Sequence, residues 1–260
     1  MTTSELFLGR VAVIDYFSQQ KRFHLVIPLH EEKEMSWEKA RAVAPSLPKG
    51  WWEFSKLEDG VKLEFMRDFW FNALPYLPHI YHFLDGFFAK VKKLGVYLAQ
   101  KNDGGPFTVF LSYSLQDRFF LGSPPLLEKE IERVKKKTDF PLPRDFLNFF
   151  RIHNGFTKGE DQGVFSTFAL SEEEKFFRQR LEGIPEGISL GEELVPHKKL
   201  FPFYKSFALD IYQCFYKDWY PDGEVGNVRC LLSEKMILSS KEEKTVDFPS
   251  FLDWLIFYLE

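Results

Sequence analysis

Residues 126–155 read LLEKEIERVKKKTDFPLPRDFLNFFRIHNG, and this stretch decides how the chain is parsed. Leu127, Ile131 and Val134 recur at helical spacing in a run of mixed charge. Glu128–Lys137 is therefore predicted as an amphipathic helix with those three residues inward and a solvated outer face. Lys135, Lys136 and Lys137 fall in its last turn, where the helix dipole favours cations. Pro143 suits the first position of a second helix, since its missing N–H would have no partner there anyway. Asp145 lies in that helix's first turn, and Phe146, Phe149, Phe150 and His153 form one apolar face. Asn154-Gly155 supplies a left-handed stop.

Outward from this stretch, composition sets limits. The chain has 260 residues, enough for one large domain or two ordinary ones. Its 34 basic and 38 acidic residues give a net charge of −4. That balance argues against a general nucleic-acid binder, which carries a clustered basic excess. Thirty phenylalanines predict aromatic-filled cores. Cys214 and Cys230 lack metal-ligand spacing; free buried thiols are expected, and a disulfide stays open only if the two sit on paired strands. No leader-like N-terminus and no uncharged apolar run of about 20 residues is found, so a cytoplasmic protein without a membrane span is expected.

Upstream, residues 1–122 read as a smaller α+β region. The Gly122-Ser123-Pro124-Pro125 linker joins it to a domain over 126–260. Leu8–Tyr16 and Arg22–Leu29 are predicted as a hairpin. Ser36 should cap a helix from Trp37 to Ala44, stopped by Pro45 and Pro48. The adjacent Trp51 and Trp52 are either a binding platform or a loop pinned to the core. Helices follow from Val61 to Ala73 and from Ile80 to Leu94, the second ended by Gly95. Val96–Gln100 and Phe107–Ser114 pair about Asn102-Asp103-Gly104-Gly105, and Phe119–Leu121 adds a strand. His79 and His82 would need a third ligand in a suitable pattern, and none is found, so no metal is expected.

Downstream, Gly163–Leu170 reads as β-rich, and Ser171 with Glu174 as a capping box opening a helix over Glu172–Leu181. Ile184–Pro196 is turn-rich. Leu209–Tyr216, Asn227–Leu232 and Met236–Ser239 read as strands around the polar, aromatic loop Lys217–Gly226. Asp247 or Phe248 should open the last helix.

Leu142, Pro143, Asp145, Phe146, Phe149, Phe150, Asn154 and Gly155 together resemble the signature of the SUKH superfamily. Phe201-Pro202-Phe203 resembles that family's aromatic-Pro-Phe step, and Ser250, Phe251, Trp254 and Leu255 its closing helix. The resemblance covers residues 126–260 and implies an α+β fold in which helices pack an antiparallel or mixed sheet. One departure is the run Tyr204–Asp210, where the family carries a Gly-acid pair; Asp210 keeps the acidic position. The resemblance also implies a non-enzymatic binding protein with a protein partner: an immunity-type protein that neutralises a toxin domain, or an interaction hub.

No GxSxG, GxGxxG or Cys-His arrangement with catalytic context occurs, so neither an enzyme nor a cofactor is expected. The candidate partner surface is the acidic and aromatic set Glu160, Asp161, Asp218, Trp219, Tyr220 and Asp222. Its acids would complement a basic nuclease-type toxin, and its rings would serve as anchors. The plainer reading of the same loop is a solvated turn with one buried ring. A second hypothesis places a small-molecule or peptide site near Trp51, Trp52, His79 or His82. A third is an adaptor that self-associates through exposed Phe.

Overall fold

The computed structural model describes residues 16–17, 23–159, 161–182, 188–190, 193–206, 210–221, 223–233, 236–238 and 247–260. They fall into two units: Met1–Asn72 with Leu84–Pro124, and Ala73–Phe83 with Pro125–Glu260.

The first unit's elements are β1 (Leu25–Pro28), α1 (Trp37–Val43), α2 (Lys49–Ser55), α3 (Asp59–Ala73), the latter part of α4 (Pro78–Lys90), β2 (Lys93–Gln100), β3 (Phe107–Ser114) and β4 (Phe119–Gly122). The four strands form an antiparallel sheet in sequence order. Gly104 turns the β2–β3 hairpin at φ +70°, a conformation that glycine adopts without strain. Trp70 of α3 is fully buried and donates its indole N–H to the Tyr113 hydroxyl at 2.9 Å. Phe87 and Phe88 of α4 close around that pair, with Phe88 edge-on to Trp70 at 5.7 Å.

Two expectations for this half change. Trp51 and Trp52 lie in α2, not in a loop, because Pro48 takes the N-cap and starts a helix. The α4 helix ends at Lys90, and β2 already begins at Lys93. Leu94 continues the helical apolar spacing in sequence, but it is used in a strand buried on both faces. Gly95 is therefore no helix stop. A Cβ there would meet the His30 ring at 2.8 Å and the Tyr97 ring at 2.9 Å, so glycine permits close packing on the sheet. The predicted hairpin partner Leu8–Tyr16 lies outside the described residues except for its last residue; within them β1 pairs with β2.

The second unit contains α5 (Glu128–Lys137), α6 (Arg144–Phe149), β5 (Phe156–Lys158), β6 (Gly163–Val164), α7 (Thr167–Arg180), β7 (Ile188–Leu190), β8 (Glu193–Val195), β9 (Leu200–Lys205), β10 (Ile211–Tyr216), β11 (Asn227–Leu231), β12 (Met236–Leu238), β13 (Asp247–Phe248) and α8 (Phe251–Leu259). Its strands run in the order β5-β6-β9-β10-β11-β12-β7-β8, with β13 on β11. The β12–β7 pair is parallel and the others are antiparallel, which is the mixed sheet of an α+β fold.

Aromatic rings fill the space between α6, α8 and strands β9 and β10. Phe203 stacks on Phe215 at 4.3 Å, Trp254 meets Phe203 edge-on at 4.9 Å, and Phe146 meets Phe251 at 5.0 Å. Burying each such ring stabilises the fold by about 2–3 kcal/mol over leaving it exposed. Cys214 and Cys230 are free, buried thiols on the neighbouring strands β10 and β11.

Local chemistry moves several predicted boundaries. Leu127 is 59% exposed rather than inward; it occupies the N-cap of α5, where its N–H donates to Glu130 at 2.8 Å. Pro143 is the N-cap of α6, one residue before its expected place. The expected strand over Gly163–Leu170 keeps only its first two residues, because Ser166, not Ser171, caps α7. Ser166 accepts from Ala169 N–H, and Asn154 accepts from Thr167 N–H at 2.8 Å, so two orphan donors at this helix start are satisfied. Gly155, at φ +99°, lets Ser166 approach; a Cβ would meet it at 3.1 Å. Leu200–Lys205 is a central strand despite Pro202, where the register with β10 shifts. The turn-rich run before Pro196 contains the β7–β8 hairpin. Asp247–Phe248 is a strand, and Ser250 caps the last helix.

Candidate functional site

The loop Lys217–Gly226 leaves β10 and returns to β11 in a fixed form. Tyr216 N–H donates to Gly226 O at 2.9 Å, Gly226 N–H to Trp219 O at 2.9 Å, and Trp219 N–H to Tyr216 O at 3.0 Å. The Trp219 ring lies against Gly226 so closely that a Cβ there would be 2.2 Å from it. Gly223 takes φ +80° at the tip. Trp219 is thus a half-buried pin, and its neighbour Tyr220 is 49% exposed. Asp218 is paired with Lys199, which raises the lysine's pKa, and Glu224 accepts from Arg144 N–H at 3.2 Å.

The other predicted acid sits elsewhere. Asp161 accepts from the Tyr204 hydroxyl at 2.6 Å and from Tyr258 at 3.4 Å. Lys158 N–H donates to that same Tyr258 hydroxyl at 2.8 Å, so Lys158 is tied to α8 and Asp161 to β9 and α8. Burial, then the facing Asp161 carboxylate, pushes the Tyr204 hydroxyl above its ordinary range. Tyr204 is near one end of β9, whereas Tyr216, which leads to Asp218, pairs with Leu200 at the other end. Asp161 and Asp218 therefore lie toward opposite ends of β9. Glu160 and Asp222 lie outside the described residues. The structure thus groups Asp218, Trp219 and Tyr220 and places Asp161 in a separate, tyrosine-held position.

Two arrangements look chemical and are structural. Asp145 is buried, and burial raises its carboxyl to about 6 against the pull of backbone donors. Its oxygens accept from Phe146 N–H at 2.8 Å and Leu252 N–H at 3.0 Å, so it joins the first turns of α6 and α8. Its place in the first turn of its own helix and in the family signature is legible in the sequence; nothing local signals that it also reaches Leu252. Ser250, Asp253 and His79 form the second arrangement. Ser250 Oγ donates to Asp253 Oδ2 at 2.5 Å, and His79 Nε2 meets Asp253 Oδ1 at 3.1 Å. The carboxylate is in the middle, so the imidazole has no contact with the hydroxyl and cannot take its proton as a triad histidine does. Ser250 Oγ also accepts Asp253 N–H at 3.1 Å, which is an N-cap.

In the first unit, Trp51 is buried and Trp52 donates its indole N–H to Met35 O at 3.2 Å, as pinned tryptophans do. Among the described residues no group of three or more His, Cys, Asp or Glu could hold a metal ion, and no helix is long and apolar enough to cross a membrane.

The family model described as SMI1/KNR4 (SUKH-1) matches residues 125–256, just over half of the chain. No curated protein and no solved structure matches it.

Proposed function

Because the chain belongs to the SMI1/KNR4 (SUKH-1) family, we propose that it is a non-enzymatic binding module, of the immunity or interaction-hub kind, that engages a partner protein through the Lys217–Gly226 loop. The observation that carries this reading is an exposed ring beside an anchored one: Tyr220 stands on a loop that Trp219 and its backbone bonds hold in place. A pre-ordered loop loses little freedom on association, and tyrosine is among the residues that dominate binding energy. The acids contribute less than their number in the sequence suggests, since Asp218 is neutralised by Lys199 and Asp161 is held by tyrosines. Glu160 and Asp222 remain acidic candidates from the sequence. The partner class that fits the family is a toxin domain.

The test is capture from the native organism's lysate with the tagged parent and Tyr220→Ala as parallel baits. The expected result is one protein enriched by the parent and depleted at least about tenfold on the variant, as truncation of an anchor residue produces. Equal enrichment by both baits, or none by either, would overturn the loop assignment.

A further inference from the structure

A cleft of about 700 Å³ opens in the second unit between the end of α5 with its following connection, the middle of α7, and the paired ends of β9 and β10. That volume is in the range of small-ligand and peptide sites. Its floor includes Phe140, which is buried against Phe201 at 5.3 Å. Five cations and three acids line it. Arg178 is committed to Glu174 at 2.6 Å and Lys199 to Asp218. Asp139 is the one lining acid left over, and among the described residues Lys137, Lys198 and Lys217 have no ion-pair partner. The lining carries two net positive charges in a chain whose own net charge is −4. A concave, low-dielectric wall concentrates such a field.

The geometry points to this cleft as a docking site for an acidic segment of the partner protein, with carboxylates spaced along an extended peptide. The inference rests on the protein-binding reading above and names the chemistry of what is bound. A peptide fits better than a compact phosphate for three reasons. The unpaired lysines come from separate places: Lys137 from α5, Lys198 from the 3-10 turn His197–Lys199, and Lys217 from the start of the loop after β10. The helix end beside them is the C-terminus of α5, whose partial negative charge opposes a concentrated anion. Asp139, Glu174 and Asp218 lie between the cations, and the lining holds neither a glycine-rich backbone nest nor an uncommitted arginine.

Fluorescence anisotropy tests this with a labelled, Glu-rich peptide of about a dozen residues, alongside its Gln-for-Glu counterpart and with inorganic pyrophosphate as competitor. The parent should bind the Glu peptide, more weakly as salt rises, and the Gln peptide at least about tenfold less well. Lys198→Glu with Lys217→Glu should abolish binding while circular dichroism stays that of the parent, and Lys198→Gln alone should weaken it. Equal affinity for the two peptides, binding unchanged by the lysine variants, or displacement by pyrophosphate at lower concentration than by unlabelled peptide would overturn the proposal. The titration needs no cellular partner and does not use Tyr220, so its failure is separable from failure of the loop assignment.

Discussion

Replacing Asp145 with Asn should change stability by an amount that depends on pH, and the dependence has a definite sign. The carboxyl is buried and accepts backbone N–H groups from Phe146 and Leu252, yet its pKa is raised from 3.8 to about 6. Burial therefore outweighs the two donors. A folded-state pKa above the unfolded one means that the folded protein holds this proton between about pH 4 and pH 6, where the unfolded chain has released it. The associated stability is fully present below the unfolded value and is lost as pH rises through the folded one. The shift is worth about 3 kcal/mol in all, and about 2 kcal/mol of that falls between pH 4.5 and 7.5. Asn cannot titrate. In urea unfolding, the parent's advantage over Asp145→Asn should be about 2 kcal/mol larger at the acid end than at the neutral end. Asp145→Ala supplies the reference, since it leaves two buried N–H groups without acceptors and should cost about 2–5 kcal/mol at either pH. A difference between parent and Asn that is flat with pH, or that grows toward neutrality, would refute the reasoning; growth would mean that the backbone donors win and the group is an ordinary ionised cap.

Three further outcomes follow from the packing. Gly226→Ala drives a Cβ into the Trp219 ring and should displace that ring, shifting its fluorescence at a cost of about 1–3 kcal/mol; unchanged emission and stability would contradict the pinned-loop description. Trp70→Phe removes the indole donor from the buried Tyr113 hydroxyl and should lower stability by about 1–3 kcal/mol, read by thermal or urea unfolding. Burial raises the Cys214 thiol well above its ordinary range, and both thiols are enclosed. A thiol reagent should therefore be unreactive with the native protein and titrate both cysteines after denaturation; rapid native labelling would argue against the packing of β10 on β11.

What could be read from the sequence and what could not divide on physical grounds. The Phe146, Phe149 and Phe150 stripe was legible because one helix face states its own period, and all three rings are buried. The hairpin about Gly104 was legible because its turn needs a residue type that is visible. The start of α7 was misplaced by five residues because the deciding contact comes from Asn154, thirteen positions upstream of Thr167. Leu94 fits the helical period as well as the strand one, and only the neighbouring strand decides between them. The candidate site shows the same division. Tyr220 as an exposed ring in a polar loop could be proposed from composition, whereas the pairing of Asp218 with Lys199 and of Asp161 with Tyr204 depends on strand order that no local pattern reveals. The basic cleft draws its lysines from three separated stretches, so the weakly acidic whole-chain charge conceals it.

The most direct test of the central claim is a calorimetric titration of the captured partner into the parent and into Tyr220→Ala. The expected loss is at least about 2 kcal/mol, roughly a thirtyfold rise in Kd, with the unfolding midpoint unchanged. A Kd within about twofold of the parent's would contradict the assignment of the Lys217–Gly226 loop as the binding surface.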